Sequence, residues 1–284
     1  MENIVFVNNE YVAANEARVS IFDRGYLFGD GIYEVVPVIN STLIDKNNFL
    51  QRLEHSLDAV GIQWPCSPED FIAILEELIL RNNLKEGGVY TQVTRGVAPR
   101  EFGFPKDCPP SIMAFTIVKN LINNPLAQTG VSVVTVDDIR WKRRDVKSIA
   151  LLAQCMSKQA AEEKGGFEGW MVEDGHVTEG TSSTAYIVKD EKIITRPLSH
   201  AILPGIRRKS LLKIAKREGI VIEERLFTVA EALEADEAFL SSATTLVLPI
   251  VNIDGQMVGN GKPGRLALLL RELYISMALQ ETAH

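Results

Sequence analysis

The chain has 284 residues, 46% hydrophobic and 24% charged, which suits one large or two modest packed domains and excludes a disordered protein. Its formal net charge of -7 argues against a broad nucleic-acid or anionic-membrane surface, yet leaves room for small anionic ligands at local basic clusters. Three cysteines, Cys66, Cys108 and Cys155, lack metal-motif spacing and read as reduced thiols of a cytoplasmic protein, with Cys155 read as core packing. The start Met1-Glu2-Asn3-Ile4-Val5 has no basic segment leading into a long apolar run, so no signal peptide is expected. No apolar run reaches membrane-spanning length.

Ile4 to Val7 and Tyr11-Val12 flank the turn pair Asn8-Asn9 and predict a β-hairpin. Asp23 to Glu34 carries Gly25, Gly29 and Gly31 and reads as a tight loop, without the dinucleotide-binding spacing. Ile32 to Ile39 predicts a strand, with Pro37 indicating an edge or a bulge, and Thr42 to Asp45 returns after Asn40-Ser41. A helix capped by Asn47 or Asn48 runs to about Val60 and ends at Gly61; a second runs from Pro68 to about Asn83. Val89 to Thr94 and Ile112 to Val118 read as strands around the irregular segment Arg95 to Pro110.

Leu121 to Gly130 is polar, contains Asn123-Asn124-Pro125, and is taken as an interdomain linker. Strands are predicted at Val131–Val136, Phe167–Val172, Ala185–Lys189, Ile220–Arg225, Glu237–Ser242 and Leu246–Ile253. Helices are predicted from Ser148 to about Lys164, from Leu203-Pro204-Gly205 to near Gly219, in the capping box Thr228 to Glu231, and from about Pro263 to Ala278. The mixture gives an α/β (α+β) fold in two lobes: a small N-terminal domain over 1–120, the linker 121–130, and a larger domain over 131–284.

The segment Arg140 to Ser148 holds five basic residues, Arg140, Lys142, Arg143, Arg144 and Lys147, just before a helical run. Lys147 at a helix entry reads either as a solvated surface charge or as an amine kept nucleophilic by burial and neighbouring cations. Thr178-Glu179-Gly180-Thr181-Ser182-Ser183-Thr184 is either a polar turn or a place where backbone N–H groups and the Glu179 carboxylate face a cavity. Gly205 opens a helix whose free N–H groups favour an anion, and Ser241 to Thr245 can complete a phosphate cup. Each of these is, alone, equally an ordinary helix start or Ser/Thr turn. Arg100, with Tyr33 upstream, is either a solvated arginine or a carboxylate holder. His55, His176, His200 and His284 have no ligand spacing, so no metal is expected, and no G-x-S-x-G supports a hydrolase. One lysine, one carboxylate and three anion-cradling turns suit pyridoxal phosphate, which needs an amine for its aldehyde, a carboxylate for its ring nitrogen and donors for its phosphate.

Asp23-Arg-Gly-Tyr-Leu-Phe-Gly-Asp-Gly-Ile-Tyr-Glu-Val-Val36, Gln92-Val-Thr-Arg-Gly96, Asp138-Ile-Arg-Trp141, Asp145-Val-Lys-Ser148 and Thr178-Glu-Gly180 occur in this order. In this the chain resembles the fold-type IV pyridoxal-phosphate enzymes over nearly its whole length, nearest in pattern to the bacterial D-amino-acid aminotransferases. The resemblance implies a ping-pong transaminase and a homodimer. Lys147 would be the Schiff-base lysine and general base, and Glu179 would pair with the pyridine nitrogen. Arg52, Ile206 and Thr244 would bind phosphate, with Gly205 and Ala243 beside them and Ser182 and Ser183 also at the cofactor, while Leu203 would pack on its ring. Tyr33 and Arg100 would hold the substrate carboxylate, Arg100 across the dimer.

Two positions depart from the pattern. Phe102 stands where that subgroup carries a histidine, and Thr184 where an asparagine is frequent. The lost donor at 102 corresponds to about 1.5–3 kcal/mol, roughly ten- to a hundredfold in binding, enough to shift substrate preference without abolishing chemistry at Lys147. An aminodeoxychorismate lyase and an (R)-amine transaminase remain alternatives on the same scaffold.

Overall fold

The computed structural model describes residues 3–283; Met1, Glu2 and His284, on which part of the N-terminal reading and one of the scattered histidines fall, lie outside them. The chain forms two compact units. The first comprises the chain up to Asn120, the segment Val146–Ala150 and the chain from Ala278 onward; the second comprises Leu121–Asp145 and Leu151–Met277. Among the described residues no helix is long and apolar enough to cross a membrane.

The first unit contains β1 (Ile4–Val7), β2 (Glu10–Ala13), α1 (Arg24–Phe28), β3 (Gly31–Ile39), β4 (Thr42–Leu43), α2 (Lys46–Val60), α3 (Pro68–Arg81), β5 (Glu86–Thr94) and β6 (Ser111–Val118). Its strands make an antiparallel sheet in the order β2-β1-β6-β5-β3-β4. Helix α2 buries Phe49, Arg52, Leu53, Ser56 and Leu57, a spacing that places them on one face, and it packs on β3. That face carries a cation, Arg52, into the interior. The Gly25 loop contains a short helix after all, because the Asp23 side chain accepts the Gly25 N–H and so nucleates α1, with Gly29 closing it at φ 66°. Helix α2 starts at Lys46, with Asp45 rather than Asn47 or Asn48 at its cap position. Strand β4 covers only Val38 and Ile39 of β3. Pro37, whose carbonyl accepts the Ile44 N–H beyond β4, therefore needs no ladder donor on that side.

The second unit contains α4 (Leu126–Thr129), β7 (Val131–Asp137), α5 (Leu152–Glu162), β8 (Glu168–Glu173), β9 (His176–Gly180), β10 (Thr184–Lys189), β11 (Lys192–Thr195), α6 (Ile206–Arg217), β12 (Ile222–Glu224), α7 (Val229–Leu233), β13 (Glu237–Ser242), β14 (Leu246–Ile253), β15 (Gln256–Met257) and most of α8 (Arg265–Glu281). Its mixed sheet runs β12-β11-β10-β13-β14-β7-β8-β9, with β15 on β14. The Thr228–Glu231 capping box forms as expected, both reciprocal bonds present. Strands β9, β11 and β15 are additions to the sequence reading; each is short and follows a turn that hides its alternation. Cys155 corrects the sequence reading: it lies on the outer face of α5 and is exposed, not part of the core.

The expected helix from Ser148 starts four residues later, at Leu152. The reason is tertiary. Ser148 bridges Ile32 on the open edge of β3, the Tyr33 N–H donates to the Lys147 carbonyl at 2.9 Å, and the Ile149 N–H donates to the Gly31 carbonyl at 3.1 Å. These bonds hold 147–149 extended, so Lys147 sits on a strand-like edge rather than at a helix entry.

Candidate active site

In the first unit the sheet edge delivers Lys147 beside Tyr33. The lysine is half-buried, its N–H donates to the Ser56 hydroxyl at 3.3 Å, and its Nζ lies 4.1 Å from the centroid of the Tyr33 ring. Tyr33 stacks on Tyr90 and Tyr90 on Phe115, with ring centroids 5.6 and 4.8 Å apart. Burial, reinforced by Tyr33, pushes the Tyr90 phenol up to about 12, so this phenol is neutral over the physiological range. Arg52 forms a two-pronged pair with the fully buried Glu34, Nε to Oε1 at 2.7 Å and Nη2 to Oε2 at 2.6 Å. Sequence reasoning missed Glu34; its signal was a carboxylate on a strand that is otherwise apolar. Arg100 and Phe102 lie together on the 95–110 loop, both exposed, with the Arg100 guanidinium 5.7 Å from the Phe102 ring centroid.

The cations before Lys147 belong to the second unit and are all bound by carboxylates. Arg140 grips Asp138 through Nε and Nη2 at 2.9 and 2.7 Å and reaches Glu179 with Nη1 at 2.5 Å. Arg144 makes two bonds of 2.9 Å to Glu173, which Lys142 also contacts, and Arg143 pairs with Asp145. The expected excess of positive charge there is thus offset residue by residue. Burial alone would raise the Asp138 carboxyl, but Arg140, Thr178 and Arg144 hold it below the usual carboxylate range.

Glu179 is aimed by a β-bulge. Val177 pairs with Val172 and Gly180 with Trp170, so Thr178 and Glu179 together oppose Met171 alone. Both side chains are thereby buried, at 2% and 5% exposure. Thr178 donates to Asp138 at 2.6 Å, while the Glu179 carboxylate accepts Arg140 and, at 3.2 Å to each oxygen, the Leu203 N–H. Burial pushes the Glu179 carboxyl up, with Arg140 and the Leu203 N–H pulling the other way. A carboxylate so desolvated favours an added cationic donor.

The three small-residue turns lie side by side in this unit. Thr184 pairs with Ser241 across β10 and β13, and a Cβ on Gly205 would come 2.7 Å from the Thr184 hydroxyl. Gly205 caps α6 without a side chain, so the helix start at Ile206 receives no hydrogen bond from its cap residue's side chain. The turn holding Ala243 and Thr244 ends at Leu246, a buried non-glycine residue at φ 56°. Arg271 sustains that strain by donating Nη1 to the carbonyls on either side, Thr245 at 2.9 Å and Val247 at 2.8 Å. The turn holding Ser182 and Ser183 is pinned by Glu168. This buried carboxylate accepts the Ser182 N–H at 2.6 Å and the hydroxyls of Thr181, Ser182 and Ser183 at 3.1, 2.8 and 2.5 Å. It also explains Gly180, where a Cβ would meet the Ser183 hydroxyl and Glu168 at 2.3 and 2.6 Å. Glu168 and Arg271 were not singled out by sequence, and Arg140 only as one cation of a basic cluster; their partners appear only after folding.

Residues 31–253 match the amino-transferase class IV family. The chain belongs to the class IV aminotransferases. It is 40% identical to the D-alanine aminotransferase of Bacillus licheniformis over 98% of both chains, and 40% identical to that of Staphylococcus haemolyticus over 94% of this chain and 95% of the other. Its fold matches the branched-chain amino acid aminotransferase of Thermobaculum terrenum in its PLP form, at a TM-score of 0.85 and 20% identity, over 98% of this chain and 94% of that one. This class IV aminotransferase is a pyridoxal-phosphate-dependent transaminase acting on amino and 2-oxo acids, with the fold-type IV architecture expected from sequence. Its residues suit that cofactor: a glycine-opened helix start and a small-residue cradle for an anion, and a desolvated carboxylate for a cationic ring nitrogen.

Proposed function

We propose that this aminotransferase moves amino groups between D-amino acids and 2-oxo acids by a ping-pong exchange, as a cytoplasmic homodimer. The Tyr33 and Arg100 matches and the 40% identity to two D-alanine aminotransferases support the stereochemical assignment. In this reading residues 1–120 form the small domain, 121–130 the link and 131–284 the cofactor domain. The separation of the two sheets, all of whose strands lie on one side or the other of 121–130, supports that division.

Bound pyridoxal phosphate supplies an aldehyde that accepts the amino group and a ring that accepts the electrons left on the substrate α-carbon. Lys147 holds it, then takes the α-proton at Nζ and returns it, acting as base and then acid. Lys147 suits that work because its main chain is bonded to β3 while its Nζ makes no ion pair among the described residues. Glu179, held by Arg140, would pair with the ring nitrogen and keep a proton there. The α6 start at Gly205-Ile206, the Ala243-Thr244 turn and Arg52 bind the phosphate, with Ser182 and Ser183 alongside. The Ser182 and Ser183 hydroxyls already donate to Glu168, so they meet the cofactor as acceptors or through the backbone. Leu203 would pack on the ring. Tyr33 and Arg100 take the substrate carboxylate.

The observation that carries this reading is the desolvated Glu179 beside a cluster of anion-suited turns, within a chain of this family. Incubation with D-alanine or L-alanine and 2-oxoglutarate, and separately with aminodeoxychorismate, tests it: pyruvate is expected only from D-alanine. Pyruvate from aminodeoxychorismate without an oxo acid would assign a lyase instead. The apolar Phe102 next to Arg100 favours an (R)-amine transaminase as the second reading, for which activity on an aryl amine would exceed that on D-alanine.

A further inference from the structure

The 95–104 loop contains three arginines in unequal circumstances once Arg24 of α1 is counted with it. Arg24 pairs with Asp30 at 2.7 Å and donates Nη1 to the carbonyls of Glu101 at 2.6 Å and Gly103 at 3.4 Å, the residues on either side of Phe102. Arg95 also pairs with Asp30, at 2.8 Å, and donates to the carbonyls of Gly61 and Val60. Its guanidinium lies 3.6 Å from the Phe104 ring centroid. Both guanidinium groups are thereby committed to the scaffold. Arg100 differs: among the described residues it has no carboxylate or carbonyl partner, and its guanidinium carbon lies 5.4 Å from the Phe28 ring centroid and 5.7 Å from that of Phe102. The two rings pack on each other, 5.6 Å between centroids. Arg24 fixes this arrangement from both sides, by its bonds around Phe102 and by lying 4.7 Å from the Phe28 ring.

We propose that Phe28 and Phe102 are positioning residues that orient Arg100 by their ring faces, so that this chain selects carboxylate-bearing substrates through a single guanidinium kept clear of internal carboxylates. The physical reason is that a ring face attracts a guanidinium without occupying its N–H groups, whereas a carboxylate partner would consume the same fork that must bind the substrate. The inference rests on the reading of Arg100 as a substrate-carboxylate holder. With no donor at position 102 to add to Tyr33 and Arg100, discrimination depends more heavily on how well the Arg100 fork is oriented.

The test measures KM and kcat of the holoenzyme for D-alanine and for a carboxylate-free (R)-amine, in R100A, F102L, F102Y and F102H. R100A is expected to raise KM for D-alanine about ten- to a hundredfold. F102L, similar in bulk but without a π face, is expected to raise it roughly two- to fivefold at nearly constant kcat, and F102Y to restore it. F102H, which supplies the missing donor, is expected to lower it about tenfold. The ratio of KM for the amine to KM for D-alanine should fall in R100A and F102L and rise in F102H; equal shifts for both substrates would mean a structural effect and would overturn the proposal. If R100A raises KM but F102L does not, the rings do not orient the guanidinium and the proposal fails alone. If R100A leaves KM unchanged, the carboxylate-holding role of Arg100 fails, and this proposal with it.

Discussion

Lys147 and Glu179 are fixed by opposite means. The lysine is held through its main chain, by hydrogen bonds to the edge of β3 and to Ser56, while its Nζ lies over the face of Tyr33 and makes no ion pair among the described residues. The glutamate is held through its side chain, gripped by Arg140 and the Leu203 N–H inside a bulge. The difference matches the tasks proposed for them. A group that must take a proton and give it back needs a loose side chain on a firm backbone, and one that stabilises a fixed charge needs a carboxylate that cannot swing away. Of the cations that precede Lys147, Arg140 grips Glu179, and Lys142, Arg143 and Arg144 each pair with another carboxylate.

The largest effect that would break this comparison is at the loose group. K147A is expected to lose transamination by at least about a thousandfold and to lose the visible absorbance of lysine-bound cofactor, while folding normally. Near-wild-type turnover would remove Lys147 from the chemistry. On the fixed side, R140A leaves the buried Glu179 without its cation and Asp138 with Arg144 alone, and is expected to cost roughly 3–5 kcal/mol of stability, read by denaturant unfolding, whereas K147A should cost little. An equal loss in both would erase the contrast. E168Q removes the charge that three hydroxyls address; a loss of about 1–3 kcal/mol is expected, with weaker binding of pyridoxal phosphate to the apoenzyme than in the parent chain. Unchanged cofactor affinity would make Glu168 a matter of folding only.

The smallest effect is a pH dependence at Glu173, which bonds to Arg144 and Lys142 hold at about 2. Because its folded value is depressed, its stabilisation is complete above the ordinary carboxylate range and disappears as pH falls through about 2. Solvent access limits it to about 1 kcal/mol. Comparing E173Q with the parent between pH 7 and pH 3 should show a gap that narrows on acidification; a gap that widens would contradict the sign.

Most elements were legible from local patterns, because Pro68, Gly61, Thr228 and Gly205 punctuate helices by effects within a few residues. The motifs around Lys147 and Glu179 likewise pointed to the chemistry, since residue type alone decides which groups can form an imine or balance a ring cation. Three features escaped for one shared reason. The extended run at 147–149 depends on β3, more than a hundred residues earlier in the chain; the aim of Glu179 depends on a one-residue mismatch with β8; and the turns at 181–183 and 243–245 depend on Glu168 and Arg271. A sequence determines which groups are available and, through caps and breakers, roughly where most helices lie. Which backbone edge is left open, which cation meets which carboxylate and which hydroxyl is already committed are decided only by long-range pairing, because those energies exist only once distant strands lie side by side.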